Sequence, residues 1–169
     1  MKQLLLTLFV VLGTFAGQAQ DKVADKATEK GAEIKWMTMD EALALQKKSP
    51  KKAKPIFMDV YTDWCGPCKA LDKNTFHDPA VVEYINKNYY AVKFNAEGNT
   101  EVNYKGKKYS NPNYVADRKG RNAVHEFAFL LKVQAYPTML VFDKTGEIQA
   151  PIVGLHNPEQ LLAALQGKQ

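Results

Sequence analysis

Runs of apolar and polar positions divide the chain into segments with different periods. Residues 4–15 form an apolar run broken by Thr7, Gly13 and Thr14, and residues 20–32 are small and charged. From residue 33 the pattern becomes that of a folded domain. Residues 33–37 alternate with period two, as a short half-buried strand does. Thr38, with Glu41 three residues on, makes a capping box that opens a helix running to about Lys48. Residues 49–54 read as a solvated turn. Residues 55–61 are a nearly continuous run of apolar β-formers, a buried strand, and residues 69–73 are ordinary helix formers with no breaker. Asp78 before Pro79 supplies a cap and an N1 proline for a helix to about Asn86. Residues 89–94 are the next strand. Between residues 97 and 122 the pattern fails, apart from 104–107, which reads as a hairpin tip. A helix over 123–132, strands over 137–142 and 147–153 joined by a turn at 143–146, and a helix from Asn157-Pro158 to about Gln166 complete the chain. No internal repeat is visible.

The first two segments read differently from the rest. Lys2, the apolar run and the small residues Gly17 and Ala19 fit a secretory signal over residues 1–19. The run is too short to span a bilayer comfortably, and 20–32 reads as a flexible leader. The protein is therefore expected to be exported, with one domain over 33–169. The formal charge is +5, or +4 once a leader holding Lys2 and no acid is removed. So small an excess gives no reason to expect a nucleic-acid partner.

Cysteine usage carries the chemistry. The only two cysteines stand in Trp64-Cys65-Gly66-Pro67-Cys68-Lys69, at the junction of the 55–61 strand and the following helix. Cys65 at the helix mouth meets unpaired N–H groups and a partial positive charge, which favour its thiolate; Cys68, one turn in, can reach back to resolve a mixed disulfide. Pro67 is tolerated because the first turn has no N–H bond to lose. The pattern reads as a redox dithiol with Cys65 the exposed, attacking thiol. A static bridge would close too short a loop to constrain the unfolded chain much. A zinc site would need two further ligands, and His77, His125 and His156 are not at finger spacing from the pair, so no metal and no cofactor beyond the Cys65–Cys68 disulfide is expected. The three histidines are assigned structural or surface roles.

The order strand, helix, strand, Cys-x-x-Cys helix, strand, helix, hairpin, helix resembles the thioredoxin superfamily. Residues 54–65, Thr75-Phe76, Asp78-Pro79 and Val153-Gly154 are most similar to the C-terminal thioredoxin-like domain of bacterial periplasmic thiol:disulfide interchange proteins. The resemblance implies an α/β thioredoxin fold, a central mixed β-sheet flanked by helices. The 98–122 stretch would be an insertion between the third strand and the helix before a cis-proline loop. From the residues alone, Asp59 within an apolar strand would be a solvated edge residue or a helix-contacting outlier. The resemblance makes it a buried aspartate that takes a proton from Cys68, with Lys93 tuning it. It also makes Tyr136-Pro137 the cis-proline segment facing Cys65, and it adds Trp64, Gly66, Pro67 and Gly154 to the substrate-binding surface. Tyr61 stands where tryptophan is usual in the family.

The function that follows is an exported, periplasmic thiol–disulfide oxidoreductase. Gly-Pro between the cysteines resembles reducing members, so a protein-disulfide reductase is favoured over an oxidase or isomerase. A non-catalytic binding module is the alternative from another class. Expected partners are disulfide-containing exported proteins and a membrane thiol electron transporter, with the protein itself a monomer. Residues 98–122 carry Lys105, Lys107, Lys108, Arg118, Lys119 and Arg121 against Glu101 and Asp117. Because this stretch leaves a strand parallel to the one ending at the cysteines, it is expected beside Cys65. There Tyr104, Tyr109, Tyr114 and the basic residues would form a surface for an acidic partner, the alternative being a solvated loop that decorates the edge.

Overall fold

The computed structural model describes residues 33–167; the expected signal and leader lie outside them. In chain order the elements are β1 (Trp36–Met37), α1 (Met39–Lys48), β2 (Ile56–Tyr61), α2 (Gly66–Asn74), α3 (Pro79–Asn88) and β3 (Tyr90–Asn95). Then come β4 (Val102–Tyr104), β5 (Lys107–Tyr109), α4 (Glu126–Leu130), β6 (Thr138–Phe142), β7 (Ile152–Val153) and α5 (Pro158–Gln166). Five strands form a mixed sheet in the order β1-β3-β2-β6-β7. β1, β3 and β2 are parallel, while β6 and β7 run antiparallel to their neighbours. This is the helix-flanked mixed sheet that the resemblance implies.

β2 lies at the centre, and its alternation sorts the core into two layers. Ile56, Met58 and Val60 face one side, where they join Phe94, Phe142, Met39 and Ala42 of α1, and Phe127 of α4. Phe57 faces the other, with Leu71 of α2, Val82 and Ile85 of α3, and Leu161 and Leu165 of α5. Period two puts Asp59 and Tyr61 on the same side as Phe57, the side covered by the helix that carries the cysteines.

Helix and strand starts follow the caps read from the sequence. Both halves of the Thr38–Glu41 box are present, and Asp78 Oδ1 accepts from the N–H groups of Ala80 and Val81. Three elements are shorter than expected. The first strand keeps only Trp36 and Met37, because the Lys35 N–H is taken by Asn86 Oδ1 at 3.0 Å. The last strand begins at Ile152, after Pro151, which has no N–H to give a ladder. The helix expected over 123–132 spans Glu126–Leu130 and is capped by His125, whose Nδ1 accepts from the Phe127 N–H at 3.0 Å.

The 104–107 segment is a hairpin tip, with Lys105 at φ 50° and Gly106 at φ 75°, the paired positive values of a tight two-residue turn. Its route departs from expectation. Tyr104 and Tyr109 are buried in the core layer against Phe127 rather than displayed. The Tyr104 hydroxyl donates to the Gly146 carbonyl at 2.7 Å. Gly146 follows Phe142, which pairs with Ile56 at the start of β2, whereas Cys65 follows the end of that strand. The tip thus lies at the far end of the sheet, about 17 Å along β2 from the cysteine end. Lys105 there pairs with Glu147 and Lys108 with Glu101, each at 2.6 Å. The hairpin fills a gap beside α1 because its buried tyrosines contribute more when packed than when exposed.

Candidate active site at the mouth of the second helix

Cys65 is the N-cap of α2. Its Sγ accepts from the Cys68 N–H at 3.1 Å, and its carbonyl accepts from the Lys69 N–H at 3.2 Å. One first-turn donor, the Cys68 N–H, is thus aimed at the sulfur, an arrangement that favours a thiolate. Pro67 sits in the first turn without loss of a bond. Cys65 and Cys68 form a disulfide with their Cα atoms 5.3 Å apart. In this form the exposure expected for Cys65 is not found: Cys65 is 2% exposed and Cys68 6%.

Beneath Cys68 lies Asp59, 2% exposed, with Oδ1 lacking a hydrogen-bond partner. It is a central-strand residue, opposite Lys93 on β3 and Met139 on β6. Burial pushes its carboxyl up from the ordinary 3.8 to about 7; the Lys93 charge opposes that rise and the Asp72 charge adds to it. Lys93 itself pairs with Asp72, and its ammonium lies 5.5 Å from the Tyr61 ring centroid and 5.1 Å from that of Trp36. Tyr61 therefore packs against the lysine. Asp59, Tyr61, Cys68, Asp72 and Lys93 share the lining of an open cleft of about 310 Å³. Such a group can hold or release a proton near neutral pH within reach of solvent. Asp72 was not anticipated, although its place four residues after Cys68 puts it on the same helix face.

A second cleft, about 480 Å³, opens over Cys65. The Tyr136–Pro137 peptide is cis, and Tyr136 stands edge to face with Trp64, ring centroids 5.9 Å apart. The Gly154 N–H donates to the Pro137 carbonyl at 2.9 Å, with Gly154 at φ 93°. Trp64, Gly66, Pro67, Tyr136, Pro137 and Gly154 are thereby gathered at one end of the sheet with Cys65. The opposite wall is the stretch that follows β3. The Trp64 Nε1–H donates to Glu97 Oε2 at 2.9 Å, the Asn122 N–H donates to the same oxygen at 2.6 Å, and the Arg121 guanidinium carbon lies 4.3 Å from the Trp64 ring centroid. Sequence reasoning missed Glu97 and placed Arg121 only as one of six basic residues. No local signal ties either to Trp64, since the contacts cross 33 and 57 positions of chain.

The histidines fill structural roles. His125 is fully buried, accepts at Nδ1 as a helix cap and donates from Nε2 to the Thr100 carbonyl at 3.0 Å, which defines its neutral tautomer. His77 and His156 meet backbone carbonyls through Nδ1.

Comparison with known proteins agrees with this geometry. A family profile described as a thioredoxin-like domain matches residues 39–169. The thiol:disulfide interchange protein DsbD of Pectobacterium atrosepticum is 31% identical over 118 residues, covering 69% of this chain and 17% of that protein. The chain thus spans about a sixth of the length of the curated relative it matches. A thioredoxin from Thermus thermophilus superposes with a TM-score of 0.57 at 16% identity, covering 80% of this chain and 87% of that one. A protein of Bacteroides thetaiotaomicron described as a candidate disulphide isomerase superposes with a TM-score of 0.54 at 28% identity, over 82% and 94% of the two chains.

Proposed function

The chain belongs to the thioredoxin-like family, and from that premise we propose that it is an exported thiol–disulfide oxidoreductase whose dithiol form reduces protein disulfides. The observation that carries the reading is the Cys65–Cys68 pair, bonded to each other at the N-terminus of α2 with Cys65 Sγ receiving the Cys68 N–H. In the reduced protein the Cys65 thiolate attacks one sulfur of a substrate disulfide. A Cys65–substrate disulfide forms and the other substrate sulfur leaves as a thiolate. Asp59 then takes the Cys68 proton, and the Cys68 thiolate attacks Cys65 Sγ, expelling the second substrate sulfur. The substrate gains two electrons and leaves as two thiolates, one protonated by the Cys68 proton that Asp59 releases and the other by solvent, and the protein returns to the disulfide. Lys93 and Asp72 set the field in which Asp59 exchanges its proton. The backbone of Tyr136, beside Cys65, is available to pair with an extended substrate strand.

The direction of flow rests on Gly66-Pro67, which resembles the reducing members. A reduced dithiol on a membrane electron carrier is the class of donor that would recharge an exported reductase, and similarity to an interchange protein supports that partner. Two measurements test the reading. Cys68→Ser should accumulate mixed disulfides with substrate while Cys65→Ser accumulates almost none, and reversal would exchange the two roles. The reduction potential should lie nearer about −270 mV, as in reducing members, than about −120 mV, as in strong oxidants. Absence of turnover with an insulin substrate would leave a binding module with an idle dithiol.

A further inference from the structure

The cleft over Cys65 contains one charged group with no hydrogen bond or ion pair among the described residues. Arg121 lies over Trp64 with its guanidinium carbon 4.3 Å from the ring centroid, yet it belongs to none of the ion pairs among the described residues. Glu97, the carboxylate that lines the same cleft, is held in its wall, where its Oε2 accepts from both Trp64 Nε1 and the Asn122 N–H. The other lining groups, Gly66, Pro67, Val124, Gln134, Ala135 and Tyr136, are neutral side chains or backbone. The cleft therefore presents a planar fork of donors beside the sulfur, partly ordered in advance by stacking on an indole that is itself hydrogen-bonded.

We propose that Arg121 is a specificity-determining residue, binding a carboxylate carried next to the disulfide that Cys65 attacks. The substrate class is a protein segment with an acidic residue adjacent to its reactive cysteine. This deepens the oxidoreductase reading above and rests on it. A carboxylate matches the guanidinium fork in two parallel N–H···O bonds, which a neutral amide cannot reproduce at the same strength. The volume of about 480 Å³ admits a side chain of that size. Arg121 takes no part in the electron transfer: the Cys65–substrate bond forms as the substrate S–S bond breaks, and the guanidinium only holds the segment in register. The lysines at the hairpin tip have no such role, since Lys105 and Lys108 are paired with Glu147 and Glu101 at the far end of the sheet.

The test uses two disulfide-bonded peptides that differ only in a Glu or a Gln next to the cysteine. Each is reduced in a single turnover by the dithiol form of wild type, Arg121→Met, Arg121→Lys and the triple variant Lys105→Gln, Lys107→Gln, Lys108→Gln. Because the Glu charge also repels the Cys65 thiolate, the Glu-to-Gln rate ratio of wild type is read against that of Arg121→Met. The expected ratio is about fivefold higher in wild type at low salt, the size of a well-formed, partly screened ion pair. It should shrink at high salt, be partly kept by Arg121→Lys and be unaltered in the triple variant. An equal ratio in wild type and Arg121→Met overturns the proposal, as does uniform slowing of both peptides, which would leave Arg121 merely holding Trp64. An equal fall in the triple variant overturns it in favour of net charge. Reduction of dithiodipyridine by wild type separates the two levels of inference. If it fails, the oxidoreductase reading falls and takes this one with it; if it succeeds with equal peptide ratios, Arg121 alone is refuted.

Discussion

Replacing Asp59 by asparagine should change how stability depends on pH, and the structure sets the size and sign of the change. In the folded protein the carboxyl titrates at about 7, against 3.8 ordinarily, because it is buried beneath the Cys65–Cys68 turn with Oδ1 unpartnered. Between those two values the folded state binds more protons at this site than the unfolded chain does. The contribution of Asp59 to stability must therefore fall as pH rises from about 4 to about 7 and then level off. The gap corresponds to an upper figure of ~4 kcal/mol across the window, at about 1.4 kcal/mol per pH unit of separation. A neutral amide at this position has no charge to desolvate, so the Asp59→Asn variant should lack this slope and gain on wild type with every step of pH up to about 7. The pH-independent offset between the two proteins reports how well the amide is accommodated; the slope isolates the charge. Urea midpoints of both disulfide-form proteins at half-unit intervals from pH 4 to pH 8.5, with m-values compared to confirm that the slope is stability alone, measure this. His125 contributes equally to both and cancels in the difference. Parallel curves over the whole range would show that Asp59 is not a desolvated carboxyl and would remove the basis for its role as proton acceptor. With the slope present, the variant should also slow resolution of the mixed disulfide more than its formation.

Two further outcomes follow from buried polar contacts. His125 is held neutral, its pKa lowered chiefly by burial, so the unfolded chain takes up a proton first as pH falls below about 6.5. The His125 contribution to stability should decline through that region, against the opposite Asp59 trend, and His125→Ala should remove that contribution from the pH dependence while costing about 2 kcal/mol at pH 8 through the lost helix cap and the unpaired Thr100 carbonyl. Thermal melts at pH 5 and pH 8 would show it, and an unchanged difference between the two would count against the cap. Tyr104→Phe removes a buried hydroxyl bond of 2.7 Å to the Gly146 carbonyl and should cost about 1 kcal/mol in a urea titration, whereas Tyr104→Ala should cost about 3–5 kcal/mol. A negligible cost for the alanine variant would mean that the hairpin is not part of the core.

Most of the fold was legible along the chain because its signals are local. The Thr38–Glu41 box, the Asp78-Pro79 and Asn157-Pro158 starts, the apolar run of β2 and the turn at 143–146 each act within a few residues. The cysteine pair was legible for the same reason: spacing and a strand-to-helix junction place Cys65 at the helix mouth whatever surrounds it. Tertiary structure decided the environments. Asp59 reads from its neighbours as an edge residue and becomes a buried acid only because β2 is flanked by β3 and β6 and covered by α2. Lys93 has its partner in Asp72, contributed by a different element. The stretch after β3 is polar by composition, yet it buries Tyr104 and Tyr109 at one end of the sheet and brings Glu97, Arg121 and Asn122 against Trp64 at the other. Period and capping describe how a residue meets its immediate neighbours. They carry no information about which distant surfaces a long irregular segment will close upon, since that depends on the gaps left by the packed sheet and helices. Desolvation, ion pairing and the walls of a cleft all arise there.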